Sequence, residues 1–344
     1  MQLPFRIQGD PGSEPVVSVD GAFGAPGLNL SHWPGNTTPP DLRHDLSTGA
    51  ALAFAALSPE ERARRAEGCV AVANNHYDTD GALAAFAILY PEEATAHREV
   101  MLDAAAAGDL FRCPSELAFQ IDQIVTAYAD PERSPIAGEL SGLEDRERWG
   151  AATRALFDIL PRLLAGDVEP ERELWHEALE RLRSDRELVN LAGLDDLVHL
   201  DAAVITSSPG EQVFDPGRHA FFERSHADRV LLLSTTDRGT TARFVLSTKS
   251  FFDLVTQNTQ PRPDLVALCG RLNDLEGTEA GGEISWRHQN PEGASPELWF
   301  GTAGMPLYAE HAAAWLAQSQ LDPLVIKREV LEAMRRVFVF PDED

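Results

Sequence analysis

The apolar run Cys69–Ala73 leads through Asn74-Asn75 into His76-Tyr77-Asp78-Thr79-Asp80-Gly81, and that turn opens directly onto the small-residue stretch Ala82–Leu89. An apolar strand followed at once by a helix of alanines is one step of an alternating strand and helix pattern, which packs as a parallel sheet covered by helices. The turn itself carries three metal-ligand side chains, His76, Asp78 and Asp80, on alternate residues. In extended backbone, side chains two apart share a face, so successive members of the three stand roughly 7 Å apart at about 3.3 Å per residue. One cation, or a bridged pair, fits that span.

Further strands and helices surround this unit. Val16–Val19 is a β-branched run ending at Asp20-Gly21, and Leu28–Leu30 ends at Ser31-His32-Trp33. Ser47–Leu57 reads as a helix stopped by Ser58-Pro59, with a charged helix after it. Glu99–Leu102 reads as a strand ending at Asp103, followed by small residues up to Asp109; residues 1–15, rich in Pro and Gly, read as an irregular arm. Ligands of parallel sheets gather beyond the carboxyl ends of the strands, so Asp20, His32, His76 and Asp103 can share one crevice. From Ser115 to about Leu194 the apolar spacing is helical, as in Leu156, Ile159, Leu160, Leu163 and Leu164. Leu197–Ile205, Val230–Leu233, Ala242–Leu246, Glu283–Trp286 and Leu298–Phe300 then predict strands, and Glu310–Ala317 and Pro323–Arg336 predict helices.

Composition removes several classes of function. The chain has 344 residues, with 29 Lys and Arg against 55 Asp and Glu, a formal charge of −26, and no basic block. Such a surface repels a phosphate backbone, so extended nucleic acid is not an expected partner. A single substrate phosphate remains reachable through a bound cation, whose charge inverts the local field. The three cysteines, Cys69, Cys113 and Cys269, contain no C-x-x-C pair and suit a reducing compartment. No basic segment followed by an apolar core opens the chain, and no run reaches the roughly 20 apolar residues of a membrane span. The expected location is the cytoplasm, away from membranes.

The His76–Gly81 turn has three readings. As a metal turn it offers an imidazole and two hard carboxylates, a set suited to Mn²⁺ or Mg²⁺. As a haloacid-dehalogenase-type phosphatase loop it would use Asp78 as nucleophile and Asp80 as acid, although that loop normally follows its strand directly. As plain structure, its aspartates cap the next helix. His32 beside Trp33 is either a ligand or a packed core histidine, and His44 is a lesser candidate. Asp20 and Asp103 are candidate ligands, or ordinary strand-end turn residues. Asp109, after Gly108, is a lesser one. In the second half Arg243, Lys249 and Arg287 are candidates for an anion pocket, unless they pair with neighbouring acids. Trp286, Trp299 and Phe300 read as core. No P-loop, G-x-S-x-G elbow or G-x-G-x-x-G turn is present where it should be.

His76-Tyr77-Asp78-Thr79-Asp80-Gly81 followed by Ala82-Leu83-Ala84-Ala85 resembles the first motif of the DHH phosphoesterase superfamily, above all its RecJ-like branch. The resemblance implies that His76, Asp78 and Asp80 are ligands of a manganese pair. The family's Asp-His-His motif is absent as such. Ser31-His32-Trp33, with Asp45-Leu46-Ser47-Thr48-Gly49 after it, is similar to that motif and its downstream Ser/Thr-Gly stretch, but stands before the His-x-Asp-x-Asp turn rather than after it. Either the core is permuted or the second match is coincidental. The Gly-Gly-His motif of the family's companion domain is not evident.

The resulting expectation is an α/β chain: a Rossmann-like, DHH-like parallel sheet with a helical segment over residues 1–200, and a smaller α/β domain over 201–344. Its expected activity is hydrolysis of a small phosphorylated metabolite or nucleotide by metal-activated water, with Mn²⁺ or Mg²⁺ held by His76, Asp78, Asp80, Asp103, Asp20 and His32. Asp78, Asp80 and His32 would be the catalytic set, and a homodimer is compatible with it. The alternatives are a non-catalytic DHH-like binding or scaffold protein, favoured by the missing Asp-His-His, and the Asp78 phosphatase.

Overall fold

A computed structural model of the chain describes residues 3–8, 12–21, 24–207 and 214–339. It is an α/β protein of two units. The first comprises residues 1–180 and 252–257, the second residues 181–251 and 258–344. The division falls earlier than the boundary expected near residue 200.

The first unit is built on four parallel strands, β1 (Phe5–Ile7), β2 (Val16–Val19), β3 (Gly27–Leu30) and β4 (Val72–Asn74), in the order β1-β4-β2-β3. Every residue of β2 and β4 is buried, as strands covered on both faces require. All four strands run the same way, so Asp20, Ser31-His32 and Asn75-His76 leave the sheet at one edge.

The helices of this unit are α1 (Ser47–Ala55), α2 (Pro59–Arg65), α3 (Thr79–Leu89), α4 (Pro91–Ala96), α5 (Arg98–Leu110), α6 (Glu116–Tyr128), α7 (Ala137–Leu140) and α8 (Asp145–Leu164). A further helix, α9 (Arg172–Leu191), runs across the division between the units. Helix α3 is buried from Thr79 to Ile88, and its small side chains allow close packing against α1. Gly81 makes the close start of α3 feasible: a Cβ there would lie 2.0 Å from Asn74 Nδ2 and 3.0 Å from Asp20 Oδ2. Thr79 Oγ1 donates to Asp122 Oδ1 at 2.6 Å and Tyr77 Oη to Val125 O at 2.6 Å, tying both ends of the turn to α6.

The second unit has six strands, β5 (Gly193–Leu197), β6 (Ala202–Thr206), β7 (Arg229–Thr236), β8 (Gly239–Leu246), β9 (Ser285–Gln289) and β10 (Glu297–Gly301), in the order β5-β6-β7-β8-β10-β9. Among the described residues of this unit, only β6 and β7 pair in parallel. Its helices are α10 (Arg218–Ser225), α11 (Leu265–Glu276) and α12 (Pro323–Arg336). Alternation sorts the two faces of β8. Ala242, Phe244 and Leu246 join the core with Trp286, Leu298, Ile326 and Val330, whereas Arg243 on the other face meets Glu297.

Three local expectations fail for identifiable reasons. Glu99–Leu102 is not a strand but part of α5, because Met101, Ala104, Ala105 and Ala107 bury one helical face. Phe5–Ile7 in the amino-terminal arm is a strand, too short to show a pattern by itself and completed by pairing with β4; residues 1, 2 and 9–11 of that arm lie outside the described residues. Glu310–Ala317 is irregular. Ala312 and Ala313 donate their backbone N–H groups to Asp215 Oδ2, and Ala317 N donates to Phe300 O, so donors that a helix would need are spent elsewhere.

No helix among the described residues is long and apolar enough to cross a membrane.

Candidate metal centre

The parallel sheet brings six ligand side chains to one edge. Asp20 follows β2 in left-handed backbone (φ 48°), a conformation that Asp tolerates better than most residues, and this turns its carboxylate across the strand ends. His32 follows β3, and His76 follows β4 by two residues. Asp78 and Asp80 start α3, and Asp109 comes from the last turn of α5.

These side chains form two groups that share one member. Asp20, His32, Asp80 and Asp109 offer ligand atoms all within 4.8 Å of one another, as do Asp20, His76 and Asp78. In the first group His32 Nε2 lies 3.1 Å from Asp109 Oδ2 and 3.6 Å from both Asp20 Oδ1 and Asp80 Oδ2. In the second, His76 Nε2 lies 2.8 Å from Asp78 Oδ2 and 3.1 Å from Asp20 Oδ2. Asp20 therefore turns one oxygen to each imidazole. The cluster could hold a metal ion.

Hydrogen bonds around the groups set the ligand orientation. His32 Nδ1 lies 2.6 Å from Asp45 O, and a carbonyl only accepts, so Nδ1 carries a proton and Nε2 is the nitrogen that faces the carboxylates. His76 repeats the arrangement with Asn75 Oδ1 at 2.6 Å from its Nδ1. With a neighbouring acceptor holding Nδ1, Nε2 is the nitrogen each ring would offer to a metal. Asp20 Oδ1 accepts from Trp33 Nε1 at 3.0 Å and Ser47 Oγ at 2.9 Å. Asp80 takes Ser47 N and Thr48 N, each at 2.7 Å, so it caps α1 from a distant part of the chain. Asp78 Oδ1 accepts from Gly81 N at 2.8 Å and caps α3. Capping and ligation are thus compatible here, since Asp78 Oδ2 remains turned to His76.

Charge makes the arrangement informative. Asp20, His32 and Asp80 are essentially inaccessible to solvent, and Asp20 Oδ2 and His32 Nε2 are buried without a well-formed hydrogen bond. Even if both imidazoles were protonated, four carboxylates would leave a negative excess, which is costly to bury without compensation. Burial pushes Asp80 up to about 6. Burial likewise raises Asp109 strongly and Asp78 more modestly. Burial would also raise Asp20, but His76 and His32 outweigh it and hold that carboxyl well below its ordinary range. Burial works to lower His32 and His76, and the carboxylates around them raise both well above the usual imidazole value. Hard oxygen donors, two inward-facing imidazole nitrogens and an excess of carboxylates suit a divalent cation, which would take the place of the protons.

Of the residues singled out from sequence, the fold gathers Asp20, His32, His76, Asp78 and Asp80. Asp103 is not among them. It lies inside α5 beside Glu99, and burial and that neighbour raise its carboxyl. Asp109, two turns further along the same helix, takes the place expected for it. His44 is outside both groups; its Nδ1 accepts from Leu46 N.

The three basic residues do not make an anion pocket among the described residues. Arg243 is buried and donates to Glu297 and to the carbonyls of Ala309 and Glu310. Lys249 donates to His226 O, and Arg287 to the carbonyls of Gly301, Gly282 and Glu283. Burial requires Arg243 and Lys249 to be satisfied where they sit, and Arg287, half-buried on β9, is spent on the same kind of carbonyl partner. Trp286, Trp299 and Phe300 are core residues, as expected.

Residues 2–342 match the family described as "Family of unknown function (DUF6687)", and the chain belongs to that family. No curated protein matches the chain.

Proposed function

We propose that this member of the DUF6687 family is a phosphoester hydrolase dependent on Mn²⁺, or Mg²⁺, that acts on a small phosphorylated metabolite or nucleotide. One observation carries the reading: Asp20 is shared by two ligand groups at the carboxyl edge of a parallel sheet, and each group contains a histidine held at Nδ1 with its Nε2 turned inward. The resemblance of His76–Gly81 to the first DHH phosphoesterase motif supports it. Asp109 and Asp20 also supply carboxylates that the degenerate Ser31-His32-Trp33 segment lacks, which weighs against a scaffold that has lost its ligands. An Asp78 nucleophile has no comparable support, because both its oxygens are engaged, by Gly81 N and His76.

Asp20, His32, Asp80 and Asp109 would hold one cation, and Asp20, His76 and Asp78 the other. A cation pair supplies positive charge to a phosphoryl group and makes a water more acidic. The protein's own part is to hold both imidazoles by Nδ1 with Nε2 facing the site, to fix the carboxylates through the starts of α1 and α3, and to shield the ligands. Phe252 covers the His32 ring, while Trp33 donates to Asp20 and lies against His76. The charge of −26 favours a small substrate over a polyanion.

A screen of phosphomonoesters and phosphodiesters with Mn²⁺ tests the proposal. We expect turnover that chelation abolishes and that Asp80→Ala lowers by about 10²–10³-fold, the scale of losing a principal electrostatic group. Turnover independent of metal, or equal in Asp80→Ala with its circular dichroism unchanged, would refute it.

A further inference from the structure

Residues 252–257 are a short excursion of the chain. Phe251 and Asn258 belong to the second unit, whereas the six residues between them belong to the first. Within the first unit they converge on His32 and on Asp45, the residue that orients it. The Phe252 ring stacks face to face on the imidazole, with centroids 3.8 Å apart and planes 16° apart. Asp253 N donates to His32 O at 2.8 Å. Val255 N and Thr256 N donate to Asp45 Oδ1 at 2.6 and 2.9 Å, and Thr256 Oγ1 donates to Asp45 Oδ2. Asn36 Nδ2 donates to Asp253 Oδ2 at 3.0 Å, and Arg112 Nη2 donates to Gln257 Oε1 at 3.2 Å, so the excursion is held at its other positions too.

Asp45 joins these contacts to the candidate ligand. Its carbonyl takes the proton of His32 Nδ1, while its carboxylate takes three donors from the excursion. An imidazole rotating about Cβ–Cγ would lose the Asp45 carbonyl and collide with the Phe252 ring. A phenylalanine that only filled core volume would not need to lie nearly parallel to this one imidazole. Nor would core filling alone explain three donors on the carboxylate of the residue that fixes its tautomer.

We infer that Asp45 and the segment Phe252–Gln257 are positioning elements for His32: together they fix the plane and tautomer of this ligand and so set the affinity of one of the two cation sites. The inference rests on reading His32 as a ligand of the proposed hydrolase. It identifies residues far along the chain that touch no cation and act through His32. In the other site His76 has its own orienting partner, Asn75, and Phe252 reaches that ring only through Trp33.

Titration of the full-length protein with Mn²⁺, following free Mn²⁺ by electron paramagnetic resonance, tests this directly. Wild type should bind two ions. Thr256→Val, close in shape to the original, and Phe252→Ala should each weaken one ion by about 10–100-fold, the usual effect of removing a group that orients a ligand. The weakened ion should be the one lost in His32→Ala, and Phe252→Tyr should restore it. Unchanged binding in Thr256→Val, or equal weakening of both ions, would overturn the inference while leaving the two-site reading intact. Failure of wild type to bind Mn²⁺ would overturn both.

Discussion

Asp20→Asn is expected to abolish tight binding of both cations, with a loss of phosphoester turnover of about 10²–10³-fold or more. Among the described residues Asp20 alone belongs to both ligand groups. An amide in its place can still accept from Trp33 Nε1 and Ser47 Oγ through its oxygen, so the turn after β2 keeps its anchors. What changes is the atom 3.1 Å from His76 Nε2, where an NH₂ donor replaces a carboxylate oxygen. Asp109→Asn and Asp78→Asn provide the contrast, because each belongs to one group and should impair one ion. Metal content after dialysis, measured for all three variants beside wild type, reads the difference. Retention of one tightly held ion in Asp20→Asn would mean that Asp20 does not bridge the groups.

The metal-free protein should lose stability as pH rises from about 4 through about 6 and above, and Mn²⁺ should restore it. The sign follows from the direction of each shift. Asp80 is raised from 3.8 to about 6, so its contribution is fully present below 3.8 and lost as pH rises through about 6. Asp109 and Asp78 are also raised by burial and act in the same sense. Burial opposes ionisation of His32 and His76, but their carboxylate neighbours raise both, so their stabilisation fades as pH climbs through those elevated values. Asp20 has the opposite sign, and its contribution is lost only on acidification.

A bound cation replaces the protons that held the cluster together. At a hundred times its dissociation constant it stabilises by about 2.7 kcal/mol. For a unit of this size that is a rise in Tm of roughly 5–10 °C. Thermal melts with Mn²⁺ and with chelator, taken across the pH range, should diverge as pH increases. A gap that stays constant or narrows toward alkaline pH contradicts the account.

The strand, turn and helix around His76–Gly81 were legible because their chemistry and their fold are both local. An apolar strand, alternate ligand residues and an alanine helix lie within one short stretch, and Asp78 caps the helix it precedes. Asp20 and His32 were legible through a fold rule, since parallel strands deliver their ends to a common edge. Asp109 was legible only as a lesser candidate, because it arrives from the far end of a helix whose start, Glu99–Leu102, read as a strand, and that misreading put Asp103 in its place. The contacts of Phe252 with His32, and of Thr256 with Asp45, depend on a chain reversal far from the turn, which periodicity cannot reveal. Arg243 shows the converse. A basic residue that looks available for a substrate anion is spent on Glu297, because the alternation of β8 turns it into a buried face.

The central claim is that Asp20 lies between two cation sites, and anomalous diffraction at the manganese edge from crystals grown with Mn²⁺ tests it most directly. The account predicts two peaks about 3.5–4 Å apart, the spacing of two-metal hydrolytic sites. One should lie among Asp20, His32, Asp80 and Asp109, and the other among Asp20, His76 and Asp78. Peaks elsewhere, or none between these carboxylates, would contradict it.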